Sequence, residues 1–222
     1  MTSWREASFA VVDLETTGLD PQTHEVLSVG VVPVDGGRII LGRSFYSTVR
    51  PLVAPDSRTV VIHGIRPVDA AAARPADEVA RELVEQLGDR ILVAHVVDVE
   101  RGFLTEWLRD AGYQSGRVVD TDILARVVIC RRGGPLVATH VGLGAAAAHF
   151  GLPEHRRHHA LGDALTTAQL FLATATLLFP DRDASVAELL NAGRLLARER
   201  RRRWPERTGK LMRRLRSHPK EL

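Results

Sequence analysis

The stretch that decides the fold is Val11–Leu19, with the sequence VVDLETTGL. With the apolar residues from Phe9 onward it predicts a short buried strand that ends in charge. Side chains of a strand alternate between its two faces, so Asp13 and Glu15 share one face. Neighbouring carboxylates repel each other unless a cation lies between them, and oxygen ligands suit Mg²⁺ or Mn²⁺. Alternatively, the pair simply ends a strand that opens into a solvated turn at Gly18.

Outward from this strand, the apolar pattern predicts strands first and then alternating helices and strands. Strands over 9–14, 25–34 and 38–49, with a turn at Asp35-Gly36-Gly37, predict an antiparallel meander. Beyond Pro75 the apolar spacing becomes helical, which predicts helices over 75–87, 98–111, 121–130, 140–149 and 160–178. Short strands over 90–94 and 117–119 interrupt them. This order predicts an α/β fold, a mixed five-stranded sheet flanked by helices.

Two further carboxylates lie on the inward faces of predicted helices. Helical spacing from Glu100 leads to Leu104, Trp107 and Leu108. From Asp163 it leads to Thr167, Leu170, Thr174 and Leu177. Because a buried carboxylate without a partner is costly, each of the two predicts a nearby cation. Asp98, at the start of the first helix, is more simply explained as an N-cap.

Two histidines, His158 and His159, precede Asp163 at the entrance of the last of these helices. A histidine there could act as a general base, because its unperturbed pKa lies near neutrality. Taken alone, adjacent histidines at a helix start are better explained as exposed polar residues.

Charge divides the 222-residue chain unevenly. Residues 181–222 contain 13 Lys and Arg against 6 Asp and Glu, whereas residues 1–180 contain 17 against 21. The chain length and this charge distribution predict a domain over 1–180 and a basic, mainly helical extension over 181–222. That extension, with Arg200–Arg203, could track phosphates or pack on the body.

Composition also bears on the compartment. The single cysteine, Cys130, cannot form an internal disulfide. The sequence has neither a signal-peptide pattern nor the roughly 20 consecutive apolar residues of a spanning helix. We therefore expect a cytoplasmic protein without a membrane partner.

Together these segments resemble the DEDDh class of 3′–5′ exonucleases, the family of the DNA polymerase III epsilon proofreading subunit. The resemblance covers about residues 8–178. The family's D-x-E-T-T-G-L motif stands at Asp13–Leu19, and its His-x₄-Asp motif at His158 and Asp163. That spacing selects His158 over His159. Secondary landmarks match at His63-Gly64-Ile65 and at Asp120-Thr121.

The second motif departs from the family. Where the family has His-Asn-Ala-x-Phe-Asp, this chain has His95-Val96-Val97-Asp98-Val99-Glu100. Glu100 stands in place of Asp, keeping the charge and adding one methylene. Val96 stands in place of Asn, which removes a polar contact near the site.

The resemblance implies a ribonuclease-H-like fold and two divalent metal ions, Mg²⁺ or Mn²⁺. Asp13 would bridge them, with Glu15 and Asp163 at the first metal, Glu100 at the second, and His158 as the base. The terminal nucleotide would contact Thr16, Thr17, Gly18, Leu19 and His63. Alternatively, Gly18 only forms a tight turn, Leu19 is a core side chain, and His63 is a loop histidine whose hydrogen bonds are satisfied.

The implied activity is removal of nucleoside 5′-monophosphates from single-stranded 3′ ends, with DNA favoured, and a replication or repair polymerase is the implied partner. Two alternatives stay open. One is a 3′ exonuclease of RNA or oligoribonucleotides. The other, motivated by Val96 and Glu100, is a catalytically weakened module that binds nucleic acid or accompanies a polymerase.

Overall fold

The strand that carries Asp13 and Glu15 lies at the centre of the sheet. The computed structural model describes residues 2–114, 116–134, 140–180 and 184–198. Within them the sheet order is β3-β2-β1-β5-β6, and a short β4 also pairs with β2. The strands are β1 (Ser8–Thr16), β2 (Val26–Asp35), β3 (Arg38–Ile39), β4 (Phe45–Thr48), β5 (Ile91–Ala94) and β6 (Val118–Asp120).

Strand directions match the predicted architecture. β1 pairs antiparallel with β2, which pairs antiparallel with β3 and β4. β1 pairs parallel with β5, and β5 with β6. The predicted mixed α/β sheet flanked by helices is therefore confirmed.

Helices cover both faces of this sheet. They include α1 (Ser57–His63), α2 (Pro67–Ala71), α3 (Ala76–Leu87), α4 (Asp98–Trp107), α5 (Thr121–Arg131), α6 (Leu143–His149), α7 (Ala160–Leu178) and α8 (Val186–Leu190). The helical predictions over 75–87, 121–130 and 160–178 match α3, α5 and α7 closely. The short helices α1 and α2 were not predicted.

The alternation of β1 assigns its residues to two cores. Phe9 and Val11 point to the layer built by α5, α7 and α8. Ala10 and Val12 point to the layer built by α3 and α4. Because the period is two, Asp13 and Glu15 continue the face that α7 covers, and Asp163 lies in the first turn of α7.

Four local predictions were wrong. The strand over 38–49 is divided into β3 and β4 by a 3₁₀ turn at Leu41–Arg43, whose central Gly42 is a weak strand former. α4 ends at Trp107 rather than at 111, and α6 begins at Leu143 rather than at 140. Asp98 is the first residue of α4 and pairs with Arg101, so it is not the N-cap.

The chain beyond α7 returns to the main core. Ala184, Val186, Leu189 and Leu196 are buried together with the α7 residues. Residues 192–198 are also helical, and the arginine-rich segment that follows lies outside the described residues. The division at 180/181 into domain and extension stays a prediction.

α7 is the one described helix that is long and apolar enough to cross a membrane by length and composition. Half of the 18-residue apolar stretch within α7 is buried inside the protein. It packs against β1, β2 and α5, as the core helix of a folded domain does.

Candidate functional site

The parallel strands bring acidic groups together at one edge of the sheet. β1, β5 and β6 run in the same direction, so their carboxyl ends meet. Asp13 and Glu15 lie at the end of β1, His95 follows β5, and Asp120 ends β6. In open α/β sheets this edge is the usual place for a binding site.

A glycine in β2 admits the start of α7 to the same place. Gly30 is the cross-strand partner of Asp13. A Cβ atom there would collide with the backbone of Ala160 and Leu161, at the beginning of α7. The absence of a side chain therefore lets the first turn of α7, with Asp163, lie directly over β1 and β2.

Three side chains converge where α7 meets β1. One ligand atom from each of Glu15, His158 and Asp163 lies within 4.8 Å of the other two. The backbone N–H of His158 donates to Asp163 Oδ2 at 2.7 Å, which closes the turn before α7. His158 has φ of +52°, so this hydrogen bond holds a backbone conformation that is uncommon for a residue other than glycine.

The acidic groups raise one another's pKa. Burial and the Asp163 carboxylate raise the pKa of Glu15 to about 7. Burial, followed by the charges of Glu100, Asp163 and Glu15, raises the pKa of Asp13 well above its ordinary value. Burial also raises the pKa of Asp163, although the His158 N–H opposes this. A bound cation would relieve both the burial and the repulsion.

Glu100 is buried in the first turn of α4, as predicted. Burial, with a contribution from Asp120, raises its pKa to about 8. Its Oε2 atom is buried and has no hydrogen-bond partner among the described residues. An unpartnered buried carboxylate oxygen next to Asp13 fits a cation ligand, so these donors suit a hard divalent metal such as Mg²⁺ or Mn²⁺.

The two histidines differ in their surroundings. His158 is exposed and faces the carboxylates. His159 stacks on Tyr46, with 4.5 Å between ring centroids and an interplanar angle of 18°. The interpretation of both as merely exposed polar residues is therefore wrong for His159, and of the two it is His158 whose ring nitrogen lies with Glu15 and Asp163.

The loop after β1 is braced internally. Thr16 Oγ1 donates to the Gly18 carbonyl at 2.6 Å. Thr17 exchanges hydrogen bonds with the backbone of Glu25, through its own N–H and its hydroxyl oxygen, both at 2.9 Å. A side chain at Gly18 would collide with the ring of His24. These contacts hold the loop in one conformation through hydrogen bonds within it and to Glu25.

Two predicted substrate residues differ in exposure. Leu19 is 81% exposed, so the alternative of a core side chain is wrong. His63 is buried, and its Nδ1 accepts the N–H of Ile65 at 3.0 Å, while its Nε2 has no partner among the described residues. Burial and the charge of His158 lower the pKa of His63.

A cavity of about 190 Å³ lies at this edge. Beside the predicted Asp13, His158 and Asp163, its lining includes six residues that were not predicted as site residues: His95, Leu143, Gly144, Glu154, Arg157 and Thr166. His95 bonds Thr121 Oγ1 at 2.9 Å and the Val141 carbonyl at 2.6 Å, which secures the cavity wall. Of these, His95 carried a sequence signal: it follows a predicted strand and opens the segment that matches the family's second motif.

Comparisons with known proteins identify the family of this chain. The family model described as Exonuclease (RNase_T) matches residues 10–171. The chain is 32% identical over 173 residues to the PolC-type DNA polymerase III of Thermotoga maritima, covering 77% of this chain and 12% of that protein. It is 29% identical over 167 residues to DNA polymerase III subunit epsilon of Aquifex aeolicus, covering 75% and 80%.

Solved structures share the fold. Exonuclease I of E. coli in complex with a dT13 oligonucleotide superposes with a TM-score of 0.66 at 17% identity, covering 78% of this chain and 42% of that one. Exonuclease X in complex with 5′-overhanging duplex DNA gives 0.61 at 22% identity, covering 82% and 99%. The family match spans most of the sheet, the first part of α7 and every acidic residue of the cluster. This chain therefore belongs to the RNase_T exonuclease family.

Proposed function

We propose that the protein is a 3′–5′ exonuclease that hydrolyses the terminal phosphodiester bond of single-stranded nucleic acid, with DNA preferred, and releases nucleoside 5′-monophosphates. The observation that supports this most is the convergence of Asp13, Glu15, Asp163 and Glu100 beside an exposed histidine. Burial raises the pKa of all four carboxyls, repulsion from neighbouring carboxylates adds to the rise at Asp13, Glu15 and Glu100, and a bound cation would offset both effects.

Two divalent ions, Mg²⁺ or Mn²⁺, complete the proposal. Asp13 would contact both, Glu15 and Asp163 the first, and Glu100 the second. Such ions supply Lewis-acid chemistry: they lower the pKa of water and stabilise the leaving oxygen of a phosphodiester. Asp13 is suited to the shared position because the charges of the other three carboxylates act on it.

His158 takes the proton of the attacking water in this mechanism. The water oxygen forms a bond to phosphorus, the bond between phosphorus and the 3′ oxygen of the shortened chain breaks, and that oxygen acquires a proton. A ring nitrogen of His158 lies within 4.8 Å of a carboxylate oxygen of Glu15 and of Asp163, close to the first proposed metal. His159 is held by Tyr46 and serves as the matched comparison.

The loop after β1 and His63 would receive the 3′-terminal nucleotide. Exposed Leu19 offers an apolar surface to the base, and the braced loop presents backbone groups of Thr16, Thr17 and Gly18. His63 is the last residue of α1, and the charge of His158 acts on it. The bound oligonucleotide of Exonuclease I and the DNA of Exonuclease X support a DNA substrate by analogy.

A polymerase partner and a cytoplasmic location are supported by the relatives. The matched proteins are named as DNA polymerase III subunits or polymerases. We infer that this chain trims 3′ ends during replication or repair.

The test is digestion of 5′-labelled single-stranded DNA and RNA of one sequence, with Mg²⁺, Mn²⁺ or EDTA. We expect a metal-dependent ladder that shortens from the 3′ end and disappears in a folded Asp13→Ala variant. Asp35→Ala, at the opposite end of β1 and β2, is the matched control for losing a carboxylate. A folded Asp13→Ala variant with full activity would overturn the metal assignment.

The same experiment separates the alternatives. Faster digestion of RNA would make the protein an RNA-directed exonuclease. Absence of cleavage, with oligonucleotide binding retained, would identify a non-catalytic module. The first substitutions to test would then be Val96→Asn, at the strained position, and Glu100→Asp, which restore the family's residues.

A further inference from the structure

Asp120 holds the backbone that leads into α4. Its Oδ1 accepts the N–H of Val96 at 3.2 Å and its Oδ2 accepts the N–H of Val97 at 3.3 Å. Oδ1 also accepts the N–H of Asp122 at 2.8 Å. One carboxylate at the end of β6 thus connects the segment after β5 to the start of α5.

The segment that it holds is strained. Val96 has φ of +63°, in the left-handed region. A β-branched residue there is a genuine outlier, and such conformations persist only where their surroundings impose them. Within the turn the Val96 carbonyl accepts the N–H of Val99 at 3.2 Å, and the two amide hydrogen bonds to Asp120 hold the turn from outside. Without them, the turn would relax toward a conformation that valine prefers.

Glu100 depends on that turn. α4 begins at Asp98, two residues after Val96, and Glu100 lies in its first turn. No hydrogen bond to a side-chain cap holds this end of α4. The position of the buried Glu100 carboxylate, with its unpartnered Oε2, is therefore set by the same turn.

Asp120 is also close enough to Glu100 for its charge to act on it. Its oxygens, however, already accept three backbone N–H groups. A carboxylate that is occupied in this way is suited to hold backbone rather than to bind a metal ion directly.

We propose that Asp120 is a positioning residue for the metal site: it fixes the Val96–Val97 turn and thereby places Glu100 against the second cation. This inference rests on the proposed function, because it presumes that Glu100 binds a metal. It predicts that loss of Asp120 weakens metal binding only through Glu100.

The experiment is a thermodynamic cycle of Mn²⁺ affinities, with bound and free Mn²⁺ counted by electron paramagnetic resonance. The proteins are wild type, Glu100→Ala, Asp120→Ala and the double variant, with folding checked by circular dichroism. Asp120→Asn, which retains one acceptor oxygen, replaces Asp120→Ala if the latter fails to fold. Asp35→Asn, which breaks the ion pair with Arg90 far from the site, controls for a general loss of stability.

We expect Asp120→Ala to weaken the Glu100-dependent Mn²⁺ affinity by about tenfold or more, as loss of residues that orient metal ligands does. In the Glu100→Ala background the same change should have no further effect. An equal loss in both backgrounds, or no loss in wild type, would overturn the inference. If wild type and Glu100→Ala bind Mn²⁺ equally, it is instead the proposed function of Glu100 that fails.

Discussion

Replacing Glu100 with glutamine should stabilise the metal-free protein at alkaline pH while removing a proposed metal ligand. Glu100 is buried, and its pKa is about 8 in the folded chain against an ordinary value of 4.5. Between these two values the unfolded chain ionises Glu100 while the folded chain keeps it protonated. The folded state then binds more protons, so stability falls as pH rises from about 4.5 to about 8.

The pKa values set an upper bound on the effect. Each pKa unit corresponds to about 1.4 kcal/mol. Integrated over pH, the raised pKa of Glu100 lowers the free energy of unfolding by about 1.4 kcal/mol at pH 5.5 and by about 4 kcal/mol at pH 8, a difference of about 3 kcal/mol. Relaxation of the site and entry of water reduce this, so we expect the advantage of Glu100→Gln to grow by about 1–3 kcal/mol between the two pH values.

The assay is urea denaturation followed by circular dichroism at pH 5.5 and pH 8 in EDTA. Glutamine does not titrate. The difference in free energy of unfolding between Glu100→Gln and wild type therefore changes with pH only through the ionisation of Glu100. Glu85→Gln, at an exposed position of α3, controls for loss of a glutamate in general. Added Mg²⁺ should abolish the advantage at pH 8. An advantage that is the same at both pH values would refute the reasoning.

Three further predictions concern the backbone and the base. Val96→Gly should stabilise the metal-free protein by about 1 kcal/mol in urea denaturation, because glycine adopts φ of +63° without strain; destabilisation would mean that the valine side chain contributes more than the strain costs. His158→Ala should lower kcat on single-stranded DNA by about 100-fold or more, and His159→Ala by far less; the reverse order would assign the base to His159. Gly30→Ala should cost about 1–3 kcal/mol of stability through its collision with α7, whereas Gly42→Ala, which meets nothing, should be neutral; equal effects would mean that α7 can move away from β2.

The sequence predicted the acidic cluster well because each of its members follows a simple periodicity. The two-residue period of β1 places Asp13 and Glu15 on one face, and the helical period turns Glu100 and Asp163 inward. The order of strands and helices likewise determined a mixed sheet. Such local patterns suffice wherever one face of an element is buried.

What could not be predicted depends on contacts between distant segments. Nothing local indicates that Gly30 must lack a side chain, since the reason is the backbone at the start of α7. The same holds for Asp120, whose partners lie more than 20 residues earlier in the chain, and for Arg157 at the cavity wall. The sequence does not indicate the strained backbone of Val96, because two valines after a predicted strand favour an extended conformation.

The electrostatics of the site bear on the choice between catalysis and mere binding. A nucleic acid is a polyanion, and the cluster would present up to four negative charges to its terminal phosphate. Without a cation, these carboxylates would both oppose binding and destabilise the fold at neutral pH, as the raised pKa values of Glu15 and Glu100 indicate. A surface used only to bind nucleic acid would be improved by neutral residues at each of these positions. Four inward carboxylates beside an exposed histidine therefore favour a site that functions with divalent metal ions.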